Sequence, residues 1–254
     1  MTQALAFPRT AGTTAVVDAV RNAAARTGVD FSYLLANARA ESGLDPMARA
    51  STSSASGLFQ FTESTWLATI ARHGEKHGLG WAADALKAGA GGAVRQTILS
   101  LRHNAEAAAS MAAEFTRDNA GKLEKALGRA AGSADLYLAA FFGAGGAVRF
   151  LKTMAAAPGM AAASLLPAAA AANRSTFFHA DGSARSLAEV HDLVSRRIER
   201  HMPAAGVHAP AARVHPPAAA GSILPPAGNT RLQTEPALIA ARARMAYLVL
   251  AAMQ

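Results

Sequence analysis

The residues best placed for chemistry lie between positions 41 and 61, in the segment ESGLDPMARASTSSASGLFQF. Glu41 follows the apolar-rich stretch FSYLLANARA and precedes Ser42, Gly43 and the pair Asp45–Pro46, all turn formers. A carboxyl at the C-terminal end of a helix meets the negative end of the helix dipole, and apolar walls disfavour its charged form a second time. Phe59, Phe61 and Trp66 are the candidate walls. An acid held in this way keeps its proton toward neutral pH and can act as a proton donor in a cleft. Read alone, however, a glutamate at a helix end is a solvated residue, so the residues around it must decide.

The other candidates are weaker. Asp45 is the nearest second acid, but its place in an Asp-Pro turn argues for a structural role. Glu63 opens a helical pattern, where a favourable dipole interaction accounts for it. His73 and His77 are four apart, as helical metal ligands would be, yet Gly74 and Gly78 interrupt the helix and Glu75 is out of register for a zinc protease. No metal site is expected. The segment GAGGA, Gly143 to Ala147, lacks a preceding strand and does not read as a nucleotide loop.

The elements that must position Glu41 are helical. The chain has 254 residues, 51% of them apolar and only 6% aromatic, with much alanine and no repeating β-branched strand pattern. Amphipathic spacing predicts a first helix over TTAVVDAVRNAAARTG, with Val16, Val17, Val20 and Ala24 on one face and Gly28 as its stop. Asp30 is placed to cap the next helix, which ends near Glu41. Thr62 is placed to cap a helix that ends at Gly74. A long helical stretch is expected from Ala93 to about Asn119, followed by two short ones over AGKLEKALGRAAG and SADLYLAAFFGAGGA. In SLAEVHDLVSRRIERHM, Ser186 and Glu189 form a capping box, and Leu187, Val190, Val194 and Ile198 keep helical spacing.

Lys and Arg number 25 against 17 Asp and Glu, a formal charge of +8, which suits an anionic partner such as nucleic acid, a membrane surface or an acidic wall polymer. No run of five basic residues and no nucleic-acid motif is present, so nucleic acid is not expected as a partner. The densest basic patch, SRRIERH from Ser195 to His201, reads as the solvated face of a helix. Cysteine is absent, which rules out disulfides and thiolate metal sites. The uncharged run Met154 to Ala172 contains Pro158, Gly159, Ser164 and Pro167 and is mostly alanine, so no integral membrane segment is expected there. MTQALAFPRTAGTT lacks the charged start and apolar core of a secretory signal. A mature form, another export route and retention inside the cell all stay open on that ground. Residues 203–228 carry six prolines among Ala, Gly and His and read as a linker. Residues 229–254 can form one basic amphipathic helix that docks on the domain or on a partner.

The order Glu41, Ser42, Asp45, Pro46, Ala48, Ser51, Gly57, Leu58 and Gln60 resembles the motif of the soluble lytic transglycosylase family of lysozyme-like enzymes. A second block, LAAFFGAGGAV from Leu138 to Val148, resembles that family's Leu-Ala-Ala-Tyr-Asn-Ala-Gly segment. Phe141 stands here in place of the tyrosine and Phe142 in place of the asparagine. A phenylalanine cannot donate a hydrogen bond, so Ser42, water or Tyr137, one helical turn earlier, would hold Glu41 instead.

The resemblance implies a mainly α, lysozyme-like domain over 1–202, with its cleft between the Glu41 helix, the following loop and the 133–150 region. It implies cleavage of the MurNAc–GlcNAc β-1,4 bond of peptidoglycan. Glu41 would protonate the leaving oxygen and then take the proton of the sugar's own C6 hydroxyl, closing a 1,6-anhydro ring without a metal or cofactor. Ser42, Ser56, Gly57, Leu58, Gln60, Phe61, Tyr137 and Phe141 would bind substrate or shape the site. Gln60 has two readings, a partner for an acetamido group or a tie within the loop, and Phe61 and Trp66 are either core or sugar platforms. The location implied is the periplasm or cell envelope. A lysozyme-type hydrolase and a catalytically weak glycan-binding or envelope-assembly module, docking through the C-terminal tail, are the alternatives.

Overall fold

Val16, Val20, Ala23 and Ala24 recur at helical spacing and are all buried, so α1 (Arg9–Thr27) has one apolar face to lay against a partner. That partner is α6 (Ala105–Leu127), whose Ala108, Ala109, Ala112 and Ala113 allow close approach. Gly28 ends α1 with a positive φ of 74°. The structure, a computed structural model, describes residues 9–51 and 53–203. The linker and tail expected over 203–228 and 229–254 therefore lie, apart from Pro203, outside the described residues.

The helix carrying Glu41 is α2 (Phe31–Ser42). Asp30 caps it by accepting from the Tyr33 N–H at 2.7 Å, a contact that contributes about 1 kcal/mol. Gly43, at φ 63°, stops it, and its N–H reaches the Arg39 carbonyl at 3.0 Å. Next comes α3 (Glu63–His73), capped by Thr62 as its sequence indicates. Ile70 and Trp66 of α3 are fully buried, and the Trp66 indole N–H donates to the Ile98 carbonyl at 2.7 Å. Trp66 is thus core and not a platform in the cleft.

A 3-10 turn at Gly74–His77 follows, then α4 (Gly80–Lys87), which had no sequence signal strong enough to predict it. His73 and His77 converge on one buried carboxylate of α6. His77 Nε2 lies 2.9 Å from Glu114 Oε1, His73 Nδ1 lies 3.5 Å from Glu114 Oε2, and Arg117 pairs with the same oxygen. His73 Nε2 also reaches Asp118 at 3.0 Å. The two histidines therefore tie the end of α3 and the 3-10 turn after it to α6.

The single helix expected from Ala93 to Asn119 is two. α5 (Gly92–Ser100) passes into a 3-10 turn at Leu101–His103, and α6 restarts with Asn104 as its cap, accepting from the Ala107 N–H at 2.9 Å. The break turns Arg102 inward. α6 then runs on to Leu127, absorbing the separate short helix expected over AGKLEKALGRAAG. α7 (Ser133–Ala156) bends at Gly143, whose φ of 75° and ψ of 159° are not helical.

The uncharged run after it forms α8 (Ala162–Leu165), α9 (Pro167–Ala172, with Pro167 in its first turn) and α10 (Arg174–Phe177). Among the described residues α7 is the one helix long and apolar enough to cross a membrane, but it is largely buried within the protein and packs on α6 and α11. α11 (Leu187–His201) has the capping box its sequence announces, with the Ser186 N–H on Glu189 at 2.8 Å and the Glu189 N–H on Ser186 at 3.2 Å. It packs on α2 and α7.

No strand occurs among the described residues. Two apolar clusters make the core, one of α1, α3 and α6 around Leu34, Trp66 and Ile70, the other of α7 and α11 around Phe142, Phe150 and Phe177. α2 contributes to both and so lies between them, with Glu41 at its end.

Candidate active site

Three side chains of α2, Tyr33, Asn37 and Glu41, stand four residues apart and share one face, which lines a groove. The loop after α2 supplies Phe59, Gln60, Phe61 and Thr62, α6 supplies Phe115, Thr116 and Asn119, and α7 supplies Tyr137 and Phe141. The groove encloses about 660 Å³, open solvent included. Its floor from α6 had not been expected from the sequence.

The loop is fixed by its own backbone. Isolated bridges join Arg49 to Ser56 and Ser56 to Phe61, and the Gly57 N–H donates to the Ala48 carbonyl at 2.8 Å. Gly57 sits at φ 83°, and a Cβ there would fall 2.0 Å from the Arg102 carbonyl oxygen, so only glycine fits. Gln60 is held at φ 49°, a strained conformation for a non-glycine residue. Its side-chain amide donates to the carbonyls of Gly57 at 2.8 Å and Ala48 at 3.2 Å. Both amide protons are thus spent on the loop, and only the Gln60 side-chain carbonyl is left to offer a ligand.

Ser42 joins this loop to the helix, its hydroxyl 2.8 Å from the Leu58 carbonyl and 3.2 Å from that of Ala38. Ser56 does not line the groove. Its hydroxyl pairs with His103 Nε2 at 2.6 Å and lies 3.3 Å from the Ala48 carbonyl. Leu58 is fully buried in the core and lies outside the groove lining, as does Gly57. Asp45 is exposed and accepts from the Met47 N–H at 2.8 Å, a turn contact remote from the lining. Phe61 packs edge-on against Trp66 and Phe115, with centroids 5.3 and 6.1 Å apart, and is both core and groove wall.

Arg102, which nothing in the motif announces, is the clamp behind the loop. It is 8% exposed, and its guanidinium donates to the carbonyls of Leu99 at 3.0 Å, Ser54 at 2.6 Å and Phe61 at 3.1 Å. Three carbonyls gathered on one buried cation hold the segment 54–61 against the start of α6.

Opposite the loop, Tyr137 lines the groove with Glu41, close enough for the two to interact electrostatically. Burial, followed by the charge of Glu41, raises the Tyr137 hydroxyl well above the ordinary phenol value, while Arg197 pulls it back. Burial, with Tyr137 and Glu41 nearby, raises Tyr33 in the same direction. Both hydroxyls therefore keep their protons at neutral pH and can act as donors. Phe141 lies in the groove wall against Phe142, with ring centroids 4.8 Å apart, and brings no polar atom.

Sequence reasoning missed Tyr33 and Asn37, although their four-residue spacing ahead of Glu41 was a usable signal. The Oδ1 of Asn37 is buried without a hydrogen-bond partner, an acceptor that a bound ligand's N–H or O–H can satisfy. It also missed Arg197. Within SRRIERH, Arg196 and Arg200 are exposed, but Arg197 follows Val190 and Val194 on the inward face and is 5% exposed. The solvated-face reading is therefore wrong for that residue, because helical spacing, not local charge density, decides which way it points.

Residues 18–91 match the family model described as Transglycosylase SLT domain. That span holds α2, Glu41 and the whole loop to α3, and stops before α6, α7 and α11. The match supports a lytic-transglycosylase type of function on peptidoglycan, and with it a role in the cell envelope. The motif, the matched span and the mainly α architecture agree, and all three are consistent with a transglycosylase SLT domain of the lysozyme-like superfamily in this part of the chain.

Proposed function

We propose that the protein is a peptidoglycan lytic transglycosylase in which Glu41 is the single acid and base. What supports this most is the chemistry of the groove lining. Glu41 is the one carboxylate among the described residues that line it. Most glycosidases need a second carboxylate, as nucleophile or as base for a water. With one carboxylate, the nucleophile is best supplied by the substrate.

In that reaction the Glu41 carboxyl gives its proton to the bridging oxygen, and the bond from that oxygen to the MurNAc C1 breaks. The carboxylate left behind removes the proton of the C6 hydroxyl of the same sugar. The C6 oxygen then closes on C1, and Glu41 is protonated again. Tyr137 holds the carboxylate between the two steps, the place Phe141 cannot fill. Ser42, Ser56, Gly57 and Leu58 shape the loop; Gln60, Phe61 and Phe141 wall the glycan, and Asn37 and the Gln60 carbonyl face its acetamido and hydroxyl donors.

The substrate puts the protein in the periplasm or envelope, and residues 1–202 form the catalytic unit. Residues 203–254, the linker and tail of the sequence reading, would serve to reach an envelope-assembly partner. The test is mass spectrometry of muropeptides released from purified sacculi by wild type and by Glu41→Gln. Anhydro-muramyl ends from the wild type, and none from the variant, support the reading. Reducing ends point to a lysozyme-type hydrolase. Equal turnover by both proteins, or none by either, points to the glycan-binding or assembly module.

A further inference from the structure

Arg197 is the buried cation nearest this chemistry, and it lies more than a hundred residues beyond the matched span. Its Nε donates to the Tyr137 hydroxyl oxygen at 2.8 Å, and its Nη2 lies 3.3 Å from the carbonyl of Ala40, the residue before Glu41. A guanidinium only donates and stays charged across the working pH range. The tyrosine oxygen must therefore accept from it, and the one proton of Tyr137 is left to point elsewhere. Glu41 is the charged neighbour in the groove that can receive it.

We infer that Arg197 is a positioning residue for the acid: through one guanidinium it directs the Tyr137 proton at Glu41 and fixes the end of α2 against α7 and α11. The inference rests on the reading of Glu41 as the catalytic acid. A hydroxyl that accepts from a cation is a stronger donor, so the chain Arg197 to Tyr137 to Glu41 steadies the carboxylate formed after the first proton transfer. Tyr33 on α2 and Tyr137 on α7 are the other titratable groups at the groove, and the loop 57–62 and α6 bring no charged side chain to it. Burial, and then the charges of Arg197, Arg200 and Arg39, hold His201 below the usual histidine range.

The sign of the pH effect follows. The first step needs protonated Glu41, so turnover falls along an alkaline limb as pH rises through the titration of the acid. Arg197 and the proton it directs favour the charged form. Removing them moves that limb to higher pH.

The test uses the full-length chain and measures rate against pH on purified glycan strands. For Arg197→Met the expected result is a fall in kcat of about tenfold with KM little changed, and an alkaline limb about one unit higher. Tyr137→Phe should move the limb the same way, and adding Arg197→Met to it should add little further shift. A limb that stays in place while kcat falls only with the folded fraction overturns the inference and leaves Arg197 a packing residue.

If Arg197→Met does not fold, Arg197→Lys carries the test. Lysine keeps the charge but can make one of the two contacts, so kcat should fall about threefold with the limb displaced less than in Tyr137→Phe. Wild-type kcat in a folded Arg197→Lys protein overturns the inference. Full turnover by Glu41→Gln, in contrast, defeats the underlying reading of the acid, whatever Arg197 does.

Discussion

The two walls of the groove are built by different means. On one side, α2 and the loop to α3 hold one another through contacts between neighbours in sequence: Ser42 to Leu58, Gln60 to Gly57, Gly57 to Ala48. On the other, Tyr137 of α7 is set by Arg197 of α11, 60 residues away, and the same arginine reaches back 157 residues to Ala40. A wall of mostly local contacts can be carried by a short motif, and the matched span holds that wall apart from its distant clamp, Arg102. The opposite wall depends on how helices pack.

The comparison can be broken at several points, and the largest effect belongs to the acid. Glu41→Gln keeps the shape of the groove and removes the proton. Turnover of sacculi should drop by about a thousandfold or more with the melting temperature nearly unchanged. A second break falls on the local wall. In Gly57→Ala the new Cβ meets the Arg102 carbonyl, so the loop must move. The expected cost is about 2–4 kcal/mol, read from denaturant unfolding, with activity lost in step.

A smaller effect would sharpen the contrast on the packed wall. Phe141→Tyr restores the family's hydroxyl, but with Tyr137 already beside Glu41 the rate should change by no more than about twofold. In the Tyr137→Phe background the same change should recover most of the lost rate. Failure to recover it would mean that position 141 no longer aims at the acid. Asn37→Leu should raise KM by about fivefold while sparing kcat, since the unpartnered Oδ1 would meet only bound substrate.

The smallest effect is one of pH on stability, away from the groove. Burial opposes ionisation of Asp118, yet hydrogen bonds and charge from His73 and Arg72 hold its carboxyl below the usual range. A lowered folded value means stability present above the ordinary carboxylate pKa and lost as pH falls through the lowered one. Unfolding of Asp118→Asn should therefore be less sensitive to acid over that window than unfolding of the wild type.

Sequence reading reached one wall much further than the other. Asp30, Thr62 and the Ser186–Glu189 box were legible because a cap acts within four residues. Gly57 and Gln60 were legible because the loop closes on itself. The fallback that Tyr137 would steady Glu41 followed from one turn of helix. Arg102 and Arg197 were not legible, since an arginine in a basic run carries no local mark of being turned inward. The break before Asn104 was also missed: alanine-rich sequence favours helix on both sides, and only the cap and the inward Arg102 reveal the turn. α4 is short and draws its place from packing on α3.

The central claim is that one carboxyl does both proton transfers and that the sugar's own hydroxyl, not water, attacks. Digesting purified sacculi in heavy-oxygen water and weighing the released muropeptides tests it directly. The expected products end in anhydro rings, one water lighter than a reducing end and free of the label. Reducing ends carrying heavy oxygen at C1 would contradict it.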